Sequence, residues 1–412
     1  MSLAAGWPTA VDYTGAAQDP ERCFVDPRLQ RARFEENRMG MPVVRSGQMA
    51  AVLPAEIDGQ KYAVRLFTTP VDHSARYRSV NAHLASRPDT PLAHAEWIDR
   101  AVAVGDGVYP AVLMPWIDGV LLSSHVDDLV EEERTAELRD VAAAWVHLVG
   151  SLRAGSVVHG DLQHGNVMVT TDGSLVLIDY DGVWVPGMPT VLNEAGQPNY
   201  QHPQRAEVSE VLVEADTFAA FVIYVSLLAV AADPDLWDRF HSGENLIIVR
   251  EDYVEVGRRG SPLWTALGSS PDPDVVRHAE TLSALCATDL RTLPPLHELV
   301  TQGTAALRPG SAYVPDRAGH RSGGSWWDGD DAELQEPEPD PPAENAWPGQ
   351  GGLADLVSVA FGAVPQVPRQ DDLYDRMHGE ADKDATLMKV AVGLLVTALL
   401  VVAVAVAVYL MS

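Results

Sequence analysis

Lysine is almost missing from this chain of 412 residues: only Lys61, Lys383 and Lys389 occur, and arginine supplies the remaining positive charge. The formal net charge is −29. Phosphate backbones are held by Lys and Arg, so a nucleic-acid partner is excluded as an expectation. Cysteine is also scarce. Cys23 and Cys286 lie far apart and make neither a metal-ligand spacing nor a disulfide framework, which points to a reducing compartment. The first residues lack the basic, apolar, small-residue pattern of a secretory signal.

The longest uncharged apolar run comes late in the chain. Val390–Met411 carries no charge over 22 residues. As a helix it would rise about 33 Å, against a hydrocarbon core of about 30 Å. Lys383 and Lys389 precede it, so the positive-inside rule predicts a single-pass, C-terminal membrane anchor with the preceding chain in the cytoplasm.

Residues 1–39 read as an N-terminal extension, in which "CFVDPRLQRARF" suggests a short docking helix. Residues 41–67 read as strands broken by turns at Ser46-Gly47 and Asp58-Gly59. A helix is expected over 72–86, a buried strand in "AVLMPWIDG", a helix over 131–153, a β-rich run in "SLVLIDYDG", and helices over 215–232 and 276–303. From about residue 306 to 388 the composition becomes acidic and proline-rich, with 16 acids against 5 Lys and Arg between Asp316 and Asp384. Such a segment cannot bury enough apolar surface to pack a core, so it reads as a disordered linker. Two apolar islands interrupt it, Trp326-Trp327 and residues 352–362, and they are candidate docking points for a protein partner.

The chemistry concentrates in "VVHGDLQHGNVMV", 157–169, a polar loop between apolar ends. Asp161 and Asn166 lie five residues apart, and Asp179 follows 13 residues after Asn166. That interval allows a short hairpin and a return, bringing three oxygen-bearing side chains to one edge. Magnesium takes oxygen ligands and tolerates few from protein. An aspartate free of metal can orient an acceptor hydroxyl, an arrangement that suits phosphoryl transfer. His159 reads as a packed structural histidine, and His164 as exposed.

These residues resemble the motifs of protein kinases. His159-Gly160-Asp161 with Asn166 is similar to the catalytic loop, and Asp179-Tyr180-Asp181-Gly182 to the magnesium-binding element. "YAVRLF" resembles the nucleotide-lysine strand with Arg65 in place of lysine, and "SGQMAAV" a glycine-rich loop reduced to Gly47, with Val52 in register. "LMPWIDG" resembles the hinge, with Met114 as gatekeeper and Trp116 beside it. "GQPNYQHPQ" resembles the end of an activation segment, and Asp216 opens a helix like the one whose aspartate braces the catalytic loop. Arg291 resembles the arginine near the end of a kinase domain.

The resemblance covers about 40–305, and the whole chain resembles bacterial membrane-tethered serine/threonine-kinase-like proteins. It implies an α+β, two-lobed fold with a β-rich N-lobe and a helical C-lobe. It also implies ATP and Mg2+ as cofactors. Asp161 would be the catalytic group, Asn166 and Asp179 the metal ligands, and Gly47, Val52, Arg65, Met114 and Trp116 further nucleotide contacts. Several family features differ. No acid lies between Asp72 and Asp89, where the strand lysine's usual partner belongs. Gly160 replaces an arginine, Gln163 a lysine, and Gln204 the glutamate that pairs with Arg291. Three activities therefore stay open: a Ser/Thr protein kinase, an ATP-binding pseudokinase scaffold and a small-molecule phosphotransferase.

Overall fold

A computed structural model describes residues 7–46, 49–190, 196–254 and 260–308. Gly47, Trp326, Trp327, 352–362 and the Val390–Met411 run lie outside the described residues. The described chain is α+β, with strands concentrated before residue 122 and helices after it.

The first sheet is antiparallel, in the order β1 (Arg33–Phe34), β3 (Ala50–Ile57), β4 (Gln60–Phe67), β6 (Gly107–Pro115), β5 (Glu96–Val104). A short β2 (Arg45–Ser46) also pairs with β3. Asp58-Gly59 makes the β3–β4 turn, with both residues at positive φ. Side chains alternate across such a sheet. Leu53, Ile57, Val64, Leu66, Val102 and Leu113 point to one face and are buried there. The register sets Val52 opposite Arg65, Arg65 opposite Val112, and Ala63 opposite Met114. Directly opposed residues share a face, so Val52, Arg65 and Met114 lie together on the other side.

What covers the first face departs from the expected extension. Residues 10–34 form α1 (Ala10–Gln18), α2 (Pro20–Cys23), α3 (Pro27–Gln30) and β1. Their Tyr13, Phe24, Leu29 and Phe34 complete the same apolar cluster. Thr9 and Asp12 form a capping box at α1, and Asp26 with Pro27 opens α3. Arg28 bridges to both Glu96 oxygens at 2.8 Å, and Val25 N–H donates to the Ala101 carbonyl. A boundary at residue 40 therefore cuts through one packed unit. Cysteine-to-phenylalanine "CFVDPRLQRARF" is too interrupted by Pro27 to be a single helix.

The second core is helical. Its centre is α7 (Val213–Ala232), buried from Ala215 to Val230. It is long and apolar enough to cross a membrane, but here it is enclosed by protein. It packs on α6 (Leu138–Ala154), whose Trp145 donates its indole N–H to the Ala220 carbonyl. The helix expected over 131–153 is divided. α5 (Leu122–Glu131) ends at a turn where Glu133 adopts φ 57, and α6 starts at Leu138. The expected helix over 72–86 is α4 (Ser74–Leu84), and the final helical stretch contains α10 (Pro273–Leu285) and α11 (Leu296–Gln302), after α8 (Asp235–Phe240) and α9 (Pro262–Gly268). A second sheet of three strands, β7 (Gly119–Leu121), β8 (Val167–Thr170) and β9 (Leu175–Leu177), joins the two regions.

Candidate functional site

The β8–β9 hairpin does what the spacing requires. Loop 157–166 enters β8, β9 leaves toward Asp179, and Ile178 N–H donates to the Asn166 carbonyl at 3.0 Å. Asn166 and Asp179 thus flank one backbone hydrogen bond. Asn166 Nδ2 also donates to the Asp161 carbonyl at 2.9 Å and to Asp161 Oδ2 at 3.1 Å.

Asp161 is held from three directions. Oδ2 accepts from Asn166 and from Gln163 Nε2 at 3.0 Å, and Oδ1 accepts the Gln197 backbone N–H at 2.7 Å. A carboxylate offers about four lone-pair sites. Three donors fix its orientation and leave room for one more. Gly196 explains how the chain comes so close. Its φ is +75, and a β-carbon there would lie 2.8 Å from Asp161 Oδ1.

The loop itself hangs on Asp216, in the first turn of α7. Its two oxygens accept the N–H groups of His159 at 2.6 Å and Gly160 at 2.9 Å. Burial raises the Asp216 carboxyl, and the neighbouring His159 and the two amides partly offset this. Gly160 has φ +78, and a β-carbon would meet the Gly182 carbonyl oxygen at 2.5 Å. The two loops touch at that point, so no arginine fits there. His159 is buried, with Nε2 on the Ile178 carbonyl.

Arg65 reaches across from the sheet. One arm meets Asp179 Oδ1 at 2.6 Å and the other Asp181 Oδ2 at 2.7 Å. Asp179 has φ 74, a left-handed conformation that Asp tolerates better than most residues. Asp181 N–H donates to Asp179 Oδ1, closing the turn. Burial alone would raise the Asp179 carboxyl, but the Arg65 guanidinium outweighs it and holds the group below its ordinary value. Tyr77 of α4 donates to Asp181 Oδ1 at 3.3 Å and stacks on Tyr180. Burial keeps the Tyr77 phenol protonated by raising it well above its usual range.

Asp181 is the residue that pattern reading missed. It was visible as an acid before Gly182, but nothing in the spacing marks it as the partner of Arg65. Gln197 and Tyr77 were likewise not anticipated. Met114 and Val52 are half-buried on the Arg65 face. Trp116 donates its N–H to the Lys61 carbonyl, and the Arg45 guanidinium lies 5.4 Å from its ring centre. His164 is not exposed. Its Nδ1 contacts the Tyr200 hydroxyl at 2.6 Å and its Nε2 the Gly243 carbonyl, and burial lowers its pKa to about 4. Gln204 Oε1 accepts the Leu290 N–H at 3.0 Å, while Arg291 turns toward Asp289. Gln204 is thus held by backbone next to Arg291.

Among the described residues, no group of three or more His, Cys, Asp or Glu is arranged to hold a metal. A site using Asn166 and Asp179 would supply two oxygen ligands. That number suits magnesium, whose remaining ligands are waters and phosphates. Asn166 spends its amide nitrogen on Asp161, which leaves its oxygen as the donor. Asp179 would have to share itself with Arg65. Compared with known proteins, the chain matches no family model and no curated protein.

Proposed function

We propose that this chain is an ATP- and magnesium-dependent protein kinase with a two-lobed kinase-like fold, acting on Ser or Thr of a cytoplasmic protein. The observation that carries the reading is the meeting of Asp161, Asn166 and Asp179 at one edge, with Arg65 reaching it from the facing sheet. Asp161, with one lone-pair site left, orients the acceptor hydroxyl and takes its proton. Asn166 and Asp179 would hold magnesium, which when bound supplies charge neutralisation at the phosphates. Arg65 faces the phosphates, Val52, Met114 and Trp116 line the side where the base would lie, and Gly47 is a further nucleotide contact by resemblance alone.

In this reading residues 306–388 tether the domain to an anchor at 389–411, and Trp326, Trp327 and 352–362 are handles for a protein partner. Acidic charge keeps the tether off anionic lipid.

A second reading, a membrane-tethered pseudokinase scaffold, is favoured by the Arg65–Asp179 bond, which occupies a carboxylate that magnesium needs. Titrating the full chain with ATP, with and without magnesium, and following phosphate transfer to added protein separates the two. Magnesium-dependent binding with transfer that Asp161→Asn stops while sparing binding supports the kinase. Binding without transfer to any protein leaves the scaffold, and Asp179→Ala with unchanged activity overturns the catalytic assignment.

A further inference from the structure

Arg65 has two acidic partners, and they are not equivalent. The Asp181 side chain is 12% exposed and the Asp179 side chain 27%. Asp181 also takes the Tyr77 hydroxyl on its other oxygen. Behind Tyr77 stands an aromatic wall, with Trp97 at 5.5 Å and Tyr180 at 5.0 Å between ring centres. Asp179 sits nearer water, in a strained turn, beside Asn166. A cation entering from solvent meets Asp179 first.

We propose that Asp181 is the positioning residue for the nucleotide site: it anchors Arg65 permanently, while Asp179 exchanges Arg65 for the cation. The inference rests on the nucleotide-site reading above. It accounts for α4 carrying no acid. The counter-charge for the strand cation comes instead from the loop, two residues beyond the metal ligand. A guanidinium is needed for this arrangement, because its planar fork can hold one acid with one arm while the other arm is released. An ammonium is a compact point charge without that geometry. Assembly of the site then depends on the Asp179–Gly182 turn and on the Tyr77 side chain, and needs no inward swing of α4 to deliver a carboxylate.

Two measurements on the full chain test this. In Asp181→Asn, Arg65 keeps only Asp179, so the magnesium midpoint for ATP binding and the KM for ATP should each rise about tenfold, the equivalent of one charge-assisted hydrogen bond. The kcat at saturating magnesium should stay within about twofold, since Asp161 is untouched. Asp181→Glu should restore both midpoints. General loosening of the fold would lower kcat as well and would not be rescued by glutamate. The second measurement is a double-mutant cycle in urea with Arg65→Gln and Asp181→Asn. The combined effect on the unfolding constant should fall short of the product of the single effects by about tenfold. If the parent shows no magnesium-dependent nucleotide binding, the functional reading falls and the cycle alone judges the anchor. Unchanged midpoints in a folded Asp181→Asn, or an additive cycle, overturn the proposal.

Discussion

The two halves of the candidate site are fastened by different forces. Around Asp161 the donors are neutral: the Gln197 amide, the Gln163 and Asn166 side-chain amides, and behind them the His159 and Gly160 amides on Asp216. Around Asp179 the donor is a guanidinium shared between two carboxylates. Neutral donors already in place leave a carboxylate oriented at no further cost when a hydroxyl arrives. A charged clasp must change partners when another cation comes. Geometry is therefore stored in one half, and exchange is left to the other.

Asp216 holds the neutral half at its root. Asp216→Ala leaves two buried amides without an acceptor and removes a buried charge, and should cost about 3–5 kcal/mol in unfolding free energy. Phosphate transfer should vanish with it. A urea midpoint within error of the parent would show that the loop does not hang on α7.

Acid should loosen the same half through its histidines. His164 and His202 fasten the segment that crosses Asp161, through Tyr200 and Gly243 and through the Leu285 carbonyl. Both are pushed by burial from 6.5 down to about 4. Folded protein therefore resists protons that the unfolded chain accepts. Stability from each is complete above about pH 6.5 and is lost as the pH falls toward 4, by about 3 kcal/mol per imidazole. Chemical unfolding at a series of pH values checks this, and His202→Gln should flatten part of the slope. A flat profile between 6.5 and 4 would contradict the neutral assignment.

Gly196→Ala tests the close approach by itself. The methyl group would press on Asp161 Oδ1 and on the Gln201 side chain, at a φ that alanine disfavours. A cost of about 1–3 kcal/mol is expected, with transfer falling more than ATP binding. The smallest effect belongs to the charged half. Arg65→Lys should cost about 1 kcal/mol in stability, because one acid keeps a cation and the other loses it. Equal losses in stability for Asp216→Ala and Arg65→Lys would erase the distinction between the halves.

Much of the site was legible because its residues follow local rules. Asp161 and Asn166 precede one hairpin and Asp179 follows it, and a hairpin's length can be counted in the sequence. Asp216 was legible as the acid opening an apolar helix. The Arg65–Asp181 contact spans 116 residues and depends on a positive φ at Asp179, which no periodicity announces. His164 looked exposed because it lies in a polar loop, but Tyr200 and Gly243, 36 and 79 residues away, close over it. The strands β3 and β4 and the turn at Asp58-Gly59 were legible from the apolar runs and the turn residues between them. The cover on the sheet's outer face was not, because residues 7–34 carry only short, Pro-broken elements whose apolar side chains gain meaning once the sheet exists.

That cover also sets an order of events during synthesis. Phe24 bridges to Val102, Val25 to Ala101, and Arg28 to Glu96. Residues 7–34 leave the ribosome with no surface to settle on until β5 has followed them. At about 5–20 residues per second, that wait is on the order of ten seconds. During it, Tyr13, Phe24 and Leu29 are apolar side chains on a nascent chain without their partners, a stretch that a chaperone for emerging polypeptides would find before the sheet does.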